Sequence, residues 1–430
     1  MRRRHLRRSL RQILSSEVWR TRLAFWCGAL VVGAAATALA LAADWSARAF
    51  ARIAELIPYA PLILSPLGFA AVAYFTQRFF PEARGSGIPQ AIAALSLRDD
   101  VLRGRMLSLR VAAGKMALIV LGLLSGGSIG REGPTVHVAA SVMYSLRRLA
   151  RFPHHDIGRG LILAGGAAGI ASAFNTPLAG IVFAIEEMSR SFESRTSGTV
   201  LTAVIIAGLA ALAILGNYRY FGTLQVDAHM GAMWIPVLAC GIVGGLLGGV
   251  FSSLLLWGGR RLSVALRRYP VKVAASCGLA VAVIGLASNF TTFGTGYEQA
   301  RLILTETGEP DAAYPYMKML ATLASYWSGI PGGIFAPSLS IGTGIGANLA
   351  PLFSTPTPVV AMLGMVAYFS GVVQTPITAV VIVVEMTDSQ PWLLPLMATA
   401  LIANAVSRLV CPKPLYRALA EDFQRDAALR

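Results

Sequence analysis

Long apolar segments, separated by short polar stretches, run along almost the whole chain. They lie at roughly 23–43, 56–77, 112–126, 160–186, 199–216, 231–257, 271–288, 317–330, 335–353, 358–374, 377–385 and 392–407. A helix needs about 20 residues to cross roughly 30 Å of hydrocarbon, so several of these segments are too short to cross alone. The pattern predicts an all-α polytopic membrane protein in which some helices are broken, tilted or re-entrant.

The composition agrees with a membrane protein and excludes an ordinary soluble domain. Of the 430 residues, 55% are hydrophobic and 13% are charged, and the mean hydropathy is +0.62. The apolar run at 23–43 follows a basic amino terminus, as a signal peptide would. Because the run is long and no clear cleavage site follows it, we interpret it as a spanning helix. Membrane lipid is therefore an expected partner.

The net charge of +16 comes from clusters of basic residues, including eight arginines among the first 22 residues. Further clusters lie at 98–110, 147–159, 260–272 and 408–430. The positive-inside rule places these segments and both termini in the cytoplasm, and the protein in the inner or plasma membrane. A nucleic-acid surface would need these residues on a soluble fold, so no nucleic-acid partner is expected.

Two motifs recur in the same order. Ser125-Gly-x-x-x-Gly-x-x-x-Pro134 matches Ser328-Gly-x-x-x-Gly-x-x-x-Pro337, and the segment from Thr176 to Glu186 parallels the one from Thr375 to Glu385. This indicates an internal duplication. We divide the chain into a basic segment at 1–22, repeat halves at 23–217 and 218–410, and a carboxyl-terminal segment at 411–430. We expect the two halves to be inverted relative to each other. The polar stretch at 290–313 is expected to be an extracellular loop. No soluble regulatory domain is expected.

A glutamate and an arginine stand among glycines in the first copy of the motif, Gly130-Arg131-Glu132-Gly133-Pro134. Proline suits the first turn of a helix, and glycine lets the backbone approach another group closely. The unpaired N–H groups of such a helix start attract anions. A charged group inside an apolar protein is costly, which points to function.

Four motifs together resemble one family of membrane proteins. They are Arg84-Gly-Ser-Gly-Ile-Pro-Gln90, Gly130-Arg-Glu-Gly-Pro134, Gly332-Gly-Ile-Phe-Ala-Pro337 and Lys413-Pro-Leu-Tyr416. In this order and spacing they resemble the CLC family of chloride channels and proton-coupled chloride antiporters, from about Leu23 to about Ala420. The resemblance implies chloride and protons as transported ions, a homodimer with one pathway in each subunit, and neither a cofactor nor a metal.

The resemblance also implies which residues contact the anion. A dehydrated chloride needs hydrogen-bond donors rather than a full cation, which would trap it. Ser86, Tyr416, Ile334 and Phe335 would surround a central site. The amides of Gly85 and Ser86 would face an inner site, and those from Arg131 to Gly133 an outer one.

Glu132 and Glu187 are the candidate gating and proton-transfer groups. A carboxylate beside an anion-attracting helix start can occupy the anion position itself, and protonation would release it. The family resemblance gives this gating role to Glu132; the alternative is a structural carboxylate paired with Arg131. Within the repeat Glu186 matches Glu385 while Glu187 matches Met386, so Glu187 is the better candidate for a one-sided function. The alternative for Glu187 is an exposed helix-end charge.

Two other functions remain open from the sequence. A passive chloride channel could use the same pathway without moving protons. Gly126-Gly-Ser128-Ile-Gly130 also matches the nucleophile elbow of serine hydrolases, and His137 lies nearby. That elbow needs a preceding strand, and the second repeat copy has Pro331 where Ser128 stands, so an intramembrane hydrolase is disfavoured.

Overall fold

The computed structural model describes residues 16–97, 99–148, 157–189, 194–216, 220–222, 233–307 and 311–428. These residues form helices, with two isolated backbone bridges that join Gly85 to Pro331 and Gly130 to Gly333. The all-α architecture predicted from the apolar pattern is therefore confirmed.

The helices follow one another in two series. The first series is α1 (Ser16–Leu56), α2 (Pro61–Phe79), α3 (Ile88–Ser96), α4 (Asp100–Met106), α5 (Leu109–Leu124), α6 (Glu132–Ser145), α7 (Ile157–Phe174), α8 (Pro177–Phe183) and α9 (Ser194–Leu215). The second series is α10 (Trp234–Arg268), α11 (Pro270–Ala287), α12 (Tyr297–Leu304), α13 (Tyr314–Trp327), α14 (Phe335–Leu349), α15 (Thr357–Val373), α16 (Pro376–Thr387), α17 (Leu393–Val410) and α18 (Leu415–Ala428). A π-helical turn, Ala184–Ser189, extends α8.

Among the described residues, five helical stretches are long and apolar enough to cross a membrane. The three helices that begin at the candidate site motifs are much shorter. Helix α3 has 9 residues, α6 has 14 and α14 has 15. Because about 20 residues are needed to cross, these helices end inside the protein. Broken helices, as predicted, bring backbone termini into the buried interior.

Close backbone packing fixes the helices around α14. The glycines of α10 face α15 and α17: a Cβ built on Gly244 would lie 2.5 Å from the Cβ of Ala367, and one built on Gly248 would lie 2.8 Å from the carbonyl carbon of Gly371. Small residues at these spacings let helix backbones approach closely. The glycine series of α10 is therefore a packing surface.

Two segments differ from the sequence-based expectations. Helix α1 begins at Ser16 and not near residue 23, while residues 1–15 lie outside the described part. The polar stretch at 290–313 contains α12 instead of a continuous loop, because Ala300, Ile303 and Leu304 turn one apolar face into the core. The boundary near 217 also lies outside the described residues, so the division into halves stays a prediction.

Candidate functional site

The two copies of the repeated motif are hydrogen-bonded to each other. The Gly130 amide donates to the Gly333 carbonyl at 2.7 Å, and the Gly333 amide donates to the Gly130 carbonyl at 2.7 Å. Gly332 adds a bond of 3.2 Å to the carbonyl of Gly85. The starts of α6 and α14 are thus held side by side, next to the turn that precedes α3.

Glu132 begins α6 and its side chain reaches the start of α14. The residue is fully buried, and its Oε2 accepts a hydrogen bond of 3.4 Å from the amide of Ala336, the second residue of α14. No hydrogen bond to Oε1 is present within the described part of the chain. Because the first amides of a helix are unpaired and its dipole is positive there, this is a position that attracts anions. The acid of one repeat therefore lies at the helix start of the other.

The Arg131 side chain is hydrogen-bonded to α1. Its Nη1 donates to the Asp44 carboxylate and to the Ala40 carbonyl of α1, both at 2.6 Å. The alternative in which Glu132 is a structural partner of Arg131 therefore does not match the contacts. A contribution of Arg131 to an anion site would have to come from its backbone.

Ser86 lies against the start of α6. Gly85 and Gly87 on either side of it have φ angles of +70° and +111°, which glycine adopts without strain. The Ser86 hydroxyl is so close to Gly133 that a Cβ there would overlap the Ser86 Oγ. Gly133 is thus required for the contact between the turn before α3 and the first turn of α6.

Tyr416 approaches the same place from the first turn of α18. It is fully buried and its hydroxyl lies close to that of Ser86, but among the described residues neither hydroxyl makes a hydrogen bond of normal geometry. Leaving a buried hydroxyl unpaired costs about 1–3 kcal/mol. Two such donors beside the starts of α6 and α14 match the chemistry of an anion site.

Aromatic side chains surround the start of α14. Ile334 is the N-cap residue, and Phe335 is the first helical residue. The ring of Phe335 contacts four others, with centroid distances of 4.8–6.4 Å: Phe174, Phe183, Phe369 and Tyr416. This cluster gives the site an apolar wall. In the first repeat the position of Phe335 is held by Glu132.

Glu187 lies in the π-helical turn that follows α8 and is buried. This contradicts the alternative of an exposed helix-end charge. The equivalent Met386 is also buried but lies in a regular α-helix, so the two repeats differ in both backbone and side chain here. Of the predicted site residues, Ser86 contacts Gly133, and the rings of Phe335 and Tyr416 lie with their centroids 5.6 Å apart.

The serine and histidine of the hydrolase-like motif do not form a catalytic pair. The Ser128 hydroxyl is bonded to the Thr322 hydroxyl at 2.9 Å. The His137 ring nitrogens contact Lys115 Nζ at 3.1 Å and the Met106 carbonyl at 2.8 Å. Because His137 is engaged elsewhere, the pair lacks the means to activate a nucleophile.

Comparison with known proteins identifies the family. Residues 68–408 match the family described as voltage gated chloride channel. The chain belongs to this family. As in the sequence-based resemblance, the match includes the motifs at the starts of α3, α6 and α14, and it supports a multi-pass membrane protein.

Relatives in the chloride channel family include exchangers. The H(+)/Cl(-) exchange transporter ClcA of Yersinia pestis is 31% identical, with 91% of this chain and 85% of that protein covered. The crystal structure of a slow cyanobacterial Cl-/H+ antiporter has a TM-score of 0.81 and 27% identity, covering 94% of this chain and 98% of that one. A CLC-type fluoride/proton antiporter shares the fold, with a TM-score of 0.79, 24% identity, and coverage of 93% and 98%.

Sequence reasoning missed several residues of the site. Ala336 could have been found by counting the first amides of α14. Lys115 lies 17 residues before Glu132, and Lys318 lies 17 residues before the matching Phe335. Both lysines are buried, so they are a further match between the repeats. Asp44 is distant in sequence, and no motif marked it.

Proposed function

We propose that this protein exchanges chloride for protons across the membrane. The observation that carries the proposal is the position of the Glu132 carboxylate at the start of α14, hydrogen-bonded to the Ala336 amide. A carboxylate and a chloride compete for the same donors there. The exchangers among the relatives support coupled transport.

Protonation of Glu132 decides which of the two occupies the helix start. The ionised carboxylate is attracted by the helix dipole, whereas the neutral acid loses most of that attraction. The freed amides and the hydroxyls of Ser86 and Tyr416 then donate hydrogen bonds to chloride. When the proton leaves, the carboxylate returns and displaces the chloride. Each cycle thereby links chloride movement to one titratable group.

Glu187 is the proposed proton acceptor on the cytoplasmic side. It is buried in the π-helical turn that packs against α3, the helix that follows Ser86. The proposed proton path therefore starts beside the anion site. The apolar wall around Phe335 limits water there, which strengthens the interactions of the ions with the donors.

A chloride gradient in sealed vesicles tests the proposal. Purified protein is reconstituted, an outward chloride gradient is imposed, and the pH inside is followed with a trapped dye. An exchanger moves protons inward against their gradient as chloride leaves. If chloride leaves without proton movement at a clamped membrane potential, the protein is a passive channel and the proposal is wrong.

We place both termini in the cytoplasm and expect a homodimer in the inner or plasma membrane. The basic clusters support this orientation through the positive-inside rule. Leu178, Ile377 and Leu394 are exposed apolar side chains on α8, α16 and α17, and the proposed dimer interface lies on these helices. Chloride and protons are the only small partners in this proposal. Cross-linking of single-cysteine variants on α16 in native membranes tests the dimer.

A further inference from the structure

A cavity of about 430 Å³ opens beside Arg131 on the side of α1. Its charged lining residues are Asp44, Arg48, Arg131 and Glu298. Asp44 is half-exposed to this cavity, whereas the side chain of Arg131 is only 7% exposed. Asp44 therefore connects a buried guanidinium with the water-accessible space.

Asp44 and the backbone of α1 determine where the Arg131 charge lies. Nη1 donates both of its hydrogen bonds to α1, to Asp44 and to Ala40, with distances of 2.6 Å. Glu132, the next residue along the chain, is the other carboxylate whose charge acts on Arg131. Removing the Asp44 charge would leave the buried Arg131 cation without its ion-pair partner, which is costly, and would favour an ionised carboxylate at the neighbouring Glu132.

We propose that Asp44 is a positioning residue that keeps the Arg131 guanidinium away from Glu132 and so sets the pH at which Glu132 opens the pathway. The inference rests on the gating role proposed for Glu132. If Arg131 paired with Glu132, it would hold the carboxylate ionised at the start of α14. The neutralising contact with Asp44 lets protonation release that carboxylate nearer to neutral pH.

The direction of the effect follows from the charges that face Glu132. The Arg131 cation, next to Glu132 in the chain, favours an ionised carboxylate, and the Asp44 anion bound to it opposes that effect. Tyr416 faces the site from α18 and is fully buried. Lys115 and His137 face Gly87, beyond the turn that carries Ser86. Asp44→Asn leaves Arg131 uncompensated, so Glu132 should bind its proton only at lower pH. Arg131→Gln should have the opposite effect.

The test is the pH dependence of chloride efflux from vesicles at zero proton gradient, with the potential clamped. We expect Asp44→Asn to move the half-maximal pH of efflux downward by about half to one pH unit, since the pair is partly exposed to water. Arg131→Gln should move it upward. Asp44→Glu should keep the parent profile. Glu298→Gln, an acid-to-amide change in the same cavity, should leave the midpoint in place.

The same variants in a Glu132→Gln background show whether the shift acts through Glu132. There Asp44→Asn should leave efflux unchanged at every pH. Three results would overturn the inference. The first is an equal shift from Asp44→Asn and Glu298→Gln, and the second is a shift that persists without Glu132. The third is a shift of the same sign from Asp44→Asn and Arg131→Gln. Because efflux is measured without a proton gradient, a passive channel gated by Glu132 would give the same shifts. Failure of proton exchange and failure of this inference are therefore distinguishable.

Discussion

Glu186 and Glu385 each cap the start of a helix in the other repeat. Glu186 accepts hydrogen bonds from the amides of Ile377 and Thr378 at the start of α16, at 3.2 and 2.6 Å. Glu385 accepts the two corresponding bonds from the start of α8, at 3.2 and 2.7 Å. Such an exchange is what a two-fold relation between the repeats produces. It gives the repeated glutamate a structural role and leaves Glu187 outside that role.

We expect Glu385→Gln and Glu186→Gln each to lower the stability of the protein by about 1–2 kcal/mol. Each change replaces a charge-assisted cap on two backbone amides with a weaker neutral one. Thermal unfolding in detergent measures the loss. Both single variants should be destabilised, Glu186→Gln somewhat more, because Glu186 also accepts a hydrogen bond of 2.7 Å from the Thr378 hydroxyl. A loss confined to one of them would contradict the reciprocal capping.

Glu187→Gln should affect proton coupling, whereas Glu186→Gln should affect stability. The proposed proton acceptor is removed, so chloride-driven proton movement in vesicles should fall by at least tenfold, a barrier of about 1.4 kcal/mol, while chloride efflux continues. Glu186→Gln is the matched control, an identical change one residue away, and should keep the ratio of protons to chloride. Loss of coupling in both variants would mean that the whole turn, rather than Glu187, is responsible.

Glu132→Gln should abolish proton movement and leave chloride efflux running without its dependence on pH. The amide is neutral at every pH, so it resembles the protonated acid permanently. Simultaneous recordings of chloride efflux and of internal pH check this. Proton coupling that survived the substitution would remove Glu132 from the mechanism.

Gly133→Ala should weaken chloride binding by about fivefold or more, because its Cβ would overlap the Ser86 hydroxyl and displace it. Isothermal titration with chloride measures the affinity. Gly259→Ala is the control, since a Cβ there meets nothing within 4 Å. It should leave chloride binding unchanged and raise stability by about 0.5–1 kcal/mol through helix propensity.

Combining Gly133→Ala with Ser86→Ala tests, through stability, whether the Cβ of the alanine overlaps the Ser86 hydroxyl. The smaller residue at 86 removes the overlapping oxygen, so adding Gly133→Ala to it should cost little further stability. If the two substitutions are instead additive in thermal unfolding, the contact between Ser86 and Gly133 is not the source of the effect.

The broken helices and the position of Glu132 could be predicted because both have local causes. Glycines before Pro134 mark the start of α6, and the repeated spacing marks the start of α14. The partner of Glu132 could not be predicted in the same way. The Ala336 amide belongs to the other repeat and reaches the carboxylate only through tertiary packing.

The sequence likewise contains no local signal for the pairing of Arg131 with Asp44. The two residues are joined by the way α1 packs beside α6, and charge alone would equally allow Arg131 to pair with Glu132. The π-helical turn at Ala184–Ser189 is a second example. Residues of this segment match an ordinary α-helix in the other repeat, so its backbone is set by its neighbours α3 and α7 rather than by composition.

The paired bonds between Gly130 and Gly333 restrict how the pathway can open. The same two short hydrogen bonds join the start of α6 to the start of α14. Moving α6 relative to α14 would therefore break the two bonds together, at a cost of about 0.5–1.5 kcal/mol for each bond. Rotating the side chain of Glu132 breaks only its one long bond to Ala336. Of these movements, rotation of the single Glu132 carboxylate therefore breaks the fewest hydrogen bonds, and it leaves both helix starts in place.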